Sequence, residues 1–191
     1  MGIKEIKEKL PFAILGFDSD NGSEFINNHL IRYCEEEQIT FTRSRPFHKN
    51  DSCYIEQKNW SVIRKTVGYG RYDTEEELRA LNRLYGYLRL YVNFFQPVRK
   101  LTEKKRMGSK ITKRYDEAKI PFRRLLASPD ITEEVKMKLQ REYERLNPAH
   151  LKREITRLQN ELYKLNILKQ NRDKETALSM KAQNSFDYIS T

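Results

Sequence analysis

The chain has 191 residues, 38% of them hydrophobic and 34% charged, with a formal net charge of +10 and a mean hydropathy of −0.85. That length gives one ordinary domain or a small domain with an appendage, and the low apolar content predicts that part of it is extended, solvated or bound to a partner. No apolar run approaches the roughly 18 residues of a membrane span, and two cysteines (Cys34, Cys53) with three histidines are too few for a disulfide framework or a zinc finger. The opening MGIKEIKEKLPFAILGF does not read as a secretory signal, and Ile6 stands where a myristoylation motif has Ser or Thr. The expected compartment is reducing and cytoplasmic.

Residues 3–9 read as a short polar helix ending before Leu10-Pro11. FAILGF (12–17) has the length of a buried strand and stops at the turn cluster Asp18-Ser19-Asp20-Asn21-Gly22-Ser23. Ser23 is placed to cap a helix with Phe25, Ile26, His29, Leu30 and Tyr33 on one stripe. ITFTRSR (39–45) alternates as a strand, and a helix is expected from about Ser52 to Val67, ended by Gly68-Tyr69-Gly70. Thr74 and Glu77 form a capping box for a helix to about Asn93, with Leu78, Leu81, Leu84, Leu88 and Val92 at apolar positions.

Residues 98–124 alone carry a net +8, the footprint of a polyanion partner or, on the plainer reading, a solvated basic linker. Residues 1–57 carry −3, and a basic protein with an acidic front has a use for those carboxylates, metal binding among them. Towards the end, Asp130 and Glu133 are placed to cap a helix bearing Val135, Leu139, Tyr143 and Leu146. Asn147-Pro148 opens another, where Leu151, Ile155, Leu158, Leu162 and Leu165 recur at heptad spacing. The two are expected to pair as an antiparallel hairpin whose Leu-rich seam is either plain core or completed by a second copy. Residues 171–191 are expected to fray.

Asp20 lies in the turn just past the end of the first strand, and Glu56 lies one turn inside the helix after the second, with 35 residues between them. Strand, helix, strand, loop and helix in that order bring both to one sheet edge, where paired carboxylates repel unless a divalent cation lies between them. Hard oxygen ligands suit Mg²⁺ or Mn²⁺ and two-metal phosphoryl transfer.

FDSDNGSEF (17–25), TFTRSRPFHKND (40–51), IEQKNWSVIRKTVGYGRYD (55–73) and LYVNFFQPVRKL (90–101) together resemble the integrase catalytic core of DDE-type insertion-sequence transposases, ribonuclease H-like enzymes related to retroviral integrases. KIPFRRLLAS (119–128) and the helices after it resemble the C-terminal extension of one transposase subgroup. The resemblance implies an α/β fold: a truncated ribonuclease H-like core lacking its first three strands, followed by a C-terminal α-helical hairpin. It implies a partial core over 1–97, a basic linker over 98–128, the helical hairpin over 129–170 and a disordered tail over 171–191.

By position, Asp20 is similar to the second Asp of the family triad and Glu56 to its Glu; both are the implied catalytic residues and ligands of Mg²⁺ or Mn²⁺. Asn21, Gly22 and Glu24 belong to the same turn motif. Asp18 is expected to serve a local turn hydrogen bond rather than a metal. Lys58, Asn59, Arg64 and Lys65 on the second helix, and His48, Lys49 and Asn50 in the loop before it, are the candidate DNA contacts, His48 having the alternative of a plain surface role. Lys104, Lys105, Arg106, Lys110, Lys113 and Arg114 complete the DNA-binding set.

Only Glu5, Glu8 and Asp18 are acidic before Asp20, so the family's first Asp has no counterpart here. The expected function is therefore DNA integration as the C-terminal fragment of a transposase, inactive alone. The alternative is a non-catalytic DNA-binding or dimerising remnant that inhibits an intact copy. Expected partners are DNA and a second copy or intact transposase, with no membrane.

Overall fold

The computed structural model describes residues 3–19, 28–45 and 53–187, with side chains left out at 4, 5, 9, 53–55 and 179–187. Among these residues the architecture is mixed α/β, and no helix is long and apolar enough to cross a membrane. The chain divides into two compact units, residues 1–68 with 131–139 and residues 69–130 with 140–191.

The first unit opens with helix α1 (Ile3–Lys9), strand β1 (Gly16–Ser19), helix α2 (Asn28–Glu36) and strand β2 (Thr40–Arg43). The strand β1 starts four residues later than FAILGF predicts, because the backbone pairing runs Gly16 to Thr40 through Ser19 to Arg43, in parallel. A parallel pair needs a crossover connection, and α2 lies within it. Leu30 and Cys34 of α2 are buried with Ile39, and Ile3, Ile14, Phe17, Tyr33 and Phe41 pack on them. Burial pushes the Cys34 thiol up from its ordinary value, as befits a cysteine used as a small core hydrophobe. His29, expected on the apolar stripe, is exposed. Residues 23–27 of that expected helix lie outside the described residues.

Helix α3 (Cys53–Lys58) runs without interruption into a π-helical turn (Asn59–Arg64) and a last short turn, α4 (Lys65–Val67). Gly68 ends it at φ 72°, ψ −152°, a backbone conformation open only to glycine.

In the second unit, Thr74 caps α5 (Glu75–Phe95) through the expected box: the Glu77 backbone N–H donates to Thr74 Oγ1 at 3.2 Å, and the Thr74 N–H donates to Glu77 Oε2 at 3.1 Å. The buried face is Glu77, Ala80, Leu84 and Leu88, whereas Leu78 is 55% exposed.

The stretch expected as a basic linker, 98–128, is folded. It forms strands β3 (Leu101–Met107) and β4 (Lys110–Tyr115), an antiparallel hairpin, and then helix α6 (Pro121–Leu126). Gly108 at φ 61° opens the two-residue turn, the left-handed first position that a tight hairpin connection of type II′ requires.

Helix α7 (Glu133–Arg145) is capped by Thr132, whose Oγ1 accepts from the Val135 N–H at 3.5 Å; Asp130, the expected cap, instead donates its N–H to Ser128 Oγ. Helix α8 (Pro148–Asp187) begins as expected, with Asn147 Oδ1 accepting from the Ala149 and His150 N–H groups at 2.9 and 3.1 Å. It continues through the region expected to fray, as far as Asp187.

The heptad residues Leu151, Ile155, Leu158 and Leu162 of α8 are all buried, but α8 packs along α5 and not as a hairpin with α7. The helices α5 and α8 are antiparallel: Tyr87 meets His150 at one end and Glu77 meets Lys169 at the other. The C-terminal end of α5 closes on a ring cluster in which Phe94 lies 5.2 Å from Phe122, and Phe122 lies 4.8 Å from Tyr143.

Candidate functional site

Parallel pairing of β1 and β2 directs the chain out of both strands at the same edge, the side of an open α/β sheet at which ligands bind. The pairing carries on one residue beyond β2: the Ser44 N–H donates to the Ser19 carbonyl at 3.0 Å. Asp20 is the next residue in the chain after Ser19, and it lies outside the described residues, as do Asn21, Gly22, Glu24, His48, Lys49 and Asn50. Asp18 sits within β1, not in a turn. Its Oδ1 accepts from Thr42 Oγ1 at 2.8 Å, a cross-strand bond between directly paired residues, so the expected local turn contact is replaced by one that ties the two strands.

Glu56 lies on α3 and is exposed. Carboxylate oxygens of this kind suit a hard divalent cation. Among the described residues no three His, Cys, Asp or Glu side chains gather closely enough to hold a metal ion, and Asp20 is not among those residues.

Lys58, Asn59, Arg64 and Lys65 are all exposed along the same helical rod. The π turn between them, in which the Lys65 N–H reaches the Trp60 carbonyl, inserts one residue into the helical repeat and so changes the face on which Arg64 and Lys65 emerge. Lys65 Nζ stands 4.4 Å from the centre of the Trp60 ring, and Trp60 is 54% exposed. This cation–π pair lies among the residues expected as candidate DNA contacts. Nothing in the sequence marks Trp60, because a single aromatic in a helix fits a core position as well as an exposed one.

The remaining basic candidates, Lys104, Lys105, Arg106, Lys110, Lys113 and Arg114, are brought together by β3 and β4, and every one is exposed. The base of this hairpin is locked by Arg124. Its guanidinium grips both oxygens of Asp116 (2.5 and 3.0 Å) and donates to the carbonyls of Val98 (2.8 Å) and Glu117 (3.1 Å), while the Lys100 N–H donates to Asp116 Oδ1 at 2.6 Å. The Arg124 guanidinium, with the Lys100 amide, holds the Asp116 carboxyl below its ordinary value.

A second charged cluster went unnoticed in the sequence because its members are about ninety residues apart. Lys169 of α8 donates to Glu77 Oε2 at 2.9 Å and to Asp73 Oδ1 at 2.8 Å, and it also bonds the Arg71 carbonyl. Burial pushes the Glu77 carboxyl up, but Lys169, the Thr74 and Asp73 amides and Asn166 outweigh it and hold the group below its ordinary value. All of its partners are internal, so this cluster fastens α5 to α8.

Over 122 residues the chain is 42% identical to a protein of Sinorhizobium fredii described as uncharacterized protein y4rM. The match takes in 64% of this chain and spans about a third (35%) of that relative's length. The chain matches no protein-family model and no solved structure.

Proposed function

We propose that the chain is the C-terminal part of a DDE-type transposase with a ribonuclease H-like core, acting in DNA integration by metal-dependent phosphoryl transfer. One observation supports this above the others: β1 and β2 are parallel neighbours in register, so Asp20 directly after β1 and the helix carrying Glu56 after β2 follow from one sheet edge. In this reading Asp20 and Glu56 hold Mg²⁺ or Mn²⁺, which supplies Lewis-acid activation of a phosphodiester when bound. Lys58, Asn59, Arg64 and Lys65 hold the DNA backbone, with His48, Lys49 and Asn50 ahead of them. With no counterpart of the family's first Asp, the chain alone does not join DNA strands.

The test is a strand-transfer assay on the isolated chain, alongside a read of the source DNA for about 200 codons upstream of Met1. The expected results are no joining in Mn²⁺ and an in-frame extension bearing an Asp some 50–70 codons before Asp20. Robust Mn²⁺-dependent joining that disappears in Glu56→Gln overturns the inactivity of the chain alone.

A stop codon or unrelated sequence upstream gives way to the second reading, a non-catalytic DNA-binding or dimerising remnant that inhibits an intact transposase. That reading draws on a different observation: the basic segment is a folded ribbon with its own clasp, an element able to engage DNA without any catalytic centre.

A further inference from the structure

We infer that the β3–β4 hairpin grips duplex DNA through one face, the face bearing Lys104, Arg106 and Lys113, while on the opposite face two of the three cations, Lys105 and Arg114, are already paired with Glu103. The inference rests on the reading that DNA is the partner and goes beyond it by dividing a basic segment into a binding side and a largely paired one.

Side chains alternate across a strand, and directly paired residues share a face. The register Glu103 to Arg114, Lys105 to Thr112 and Met107 to Lys110 defines one face; Lys104 to Lys113 and Arg106 to Ile111 defines the other. On the first face Glu103 forms ion pairs with Lys105 at 2.6 Å and Arg114 at 3.5 Å, which leaves Lys110, beside the turn, as its one cation without an acidic partner among the described residues. On the second, two lysines stand directly opposite each other with Arg106 beside them, and no acidic side chain pairs with any of the three among the described residues. Like charges placed opposite in a ladder destabilise it, an arrangement that is relieved by an external polyanion.

The hairpin also lacks a core of its own. Every residue of β4 is exposed, as is every residue of β3 except the half-buried Glu103. A bare two-stranded ribbon is marginal in water. The Arg124–Asp116 clasp holds its base, and the charged face then projects with Ile111 (47% exposed) beside the cations. A two-stranded ribbon has the width that the major groove of duplex DNA admits. Arg106 is positioned by its Nε, which donates to the Gly108 carbonyl at 3.1 Å in the turn.

The test compares two triple variants of the full chain that lose the same charge: Lys104→Gln/Arg106→Gln/Lys113→Gln and Lys105→Gln/Lys110→Gln/Arg114→Gln. Binding to a duplex oligonucleotide is titrated from about 50 to 200 mM salt, with circular dichroism to check that both fold. The first variant should lower the slope of log K against log salt by about 2.7, so the wild type loses about forty-fold more affinity over that range than the variant does. The second should lower it by no more than about 0.9, the share of Lys110 alone. Equal losses in both variants overturn the one-face assignment, as does wild-type binding by the first variant. Tighter binding to single-stranded RNA than to duplex DNA overturns the partner. No binding of the wild type to duplex even at low salt overturns the DNA reading itself.

Discussion

The α5–α8 pair and the β3–β4 hairpin carry similar charged sequence and use it in opposite ways. In the helical pair the charges that matter are drawn inward: Glu77 is buried, and Lys169, Asn166 and two backbone amides supply its hydrogen bonds. In the hairpin six cations remain outside, and only one acid, Glu103, lies on the strands to offset them. A charge run is therefore a fastener where an apolar seam lies beneath it and stays an exposed charged surface where none does. The helical pair has that seam in Ala80, Leu84, Leu151, Ile155, Leu158 and Leu162, each nearly inaccessible to solvent.

The comparison breaks most visibly at the seam. Leu158→Ala removes a fully buried side chain and should cost about 2–5 kcal/mol in urea unfolding. Leu178→Ala, at a residue 67% exposed on the same helix, should change stability by less than about 0.5 kcal/mol. A large effect at Leu178 in the isolated chain would show that the far end of α8 is covered.

Next comes the fastener. The Asp73 and Glu77 carboxyls are held below their ordinary values of 3.8 and 4.5, Asp73 chiefly by Lys169. A folded-state pKa below the unfolded one contributes stability that is present above the unfolded value and is lost as pH falls through it towards the folded one. The urea midpoint should therefore drop as the solution is taken from about pH 5 to about pH 3, and Glu77→Gln should flatten that drop. Lys169→Met and Glu77→Gln should combine to less than the sum of their single costs, because they share one bond, while the Lys169 bond to Asp73 keeps the double variant below Glu77→Gln alone.

At the clasp, Arg124→Met leaves Asp116 half-buried without its bidentate partner and should cost about 1.5–3 kcal/mol locally. Hydrogen exchange of the Val98 and Lys119 amides, which bond each other's carbonyls, should quicken while α5–α8 amides stay protected. Equal quickening in both regions would show that the hairpin and the helical pair unfold as one. The smallest effect belongs to Gly108→Ala. A Cβ there meets nothing within 4 Å, so only the positive φ is strained, at about 1–2 kcal/mol confined to the hairpin.

Much of this was written locally. The Thr74–Glu77 box, the Asn147-Pro148 start of α8 and the Gly68 stop were legible because each is a bond or a backbone angle within three residues of its cause. Where two local signals compete, sequence misplaces the answer: Asp130 and Thr132 both suit a cap, and the chain uses Thr132. The hairpin escaped notice because its strands are so charged that no apolar alternation marks them, and only Gly108 signals the turn. For the candidate site, the order of strand, helix, strand and helix around Asp20 and Glu56 was legible, whereas Trp60 beside Lys65 and the Thr42 bond to Asp18 were not.

The sequence by itself determined that α1, α3, α5, α7 and the first half of α8 are helical, where most of them start, and which α8 residues turn inward, because propensity, capping and heptad spacing act over a few residues; α6 and the far half of α8 it did not mark. Tertiary structure alone decided what covers that inward face: α5, some seventy residues upstream, and not the adjacent α7. It alone made β1 and β2 parallel and turned a buried Glu77 into a bond to Lys169. Such pairings are selected by fit across the whole chain, and any Leu-rich seam or nearby acid would have satisfied the local pattern equally well.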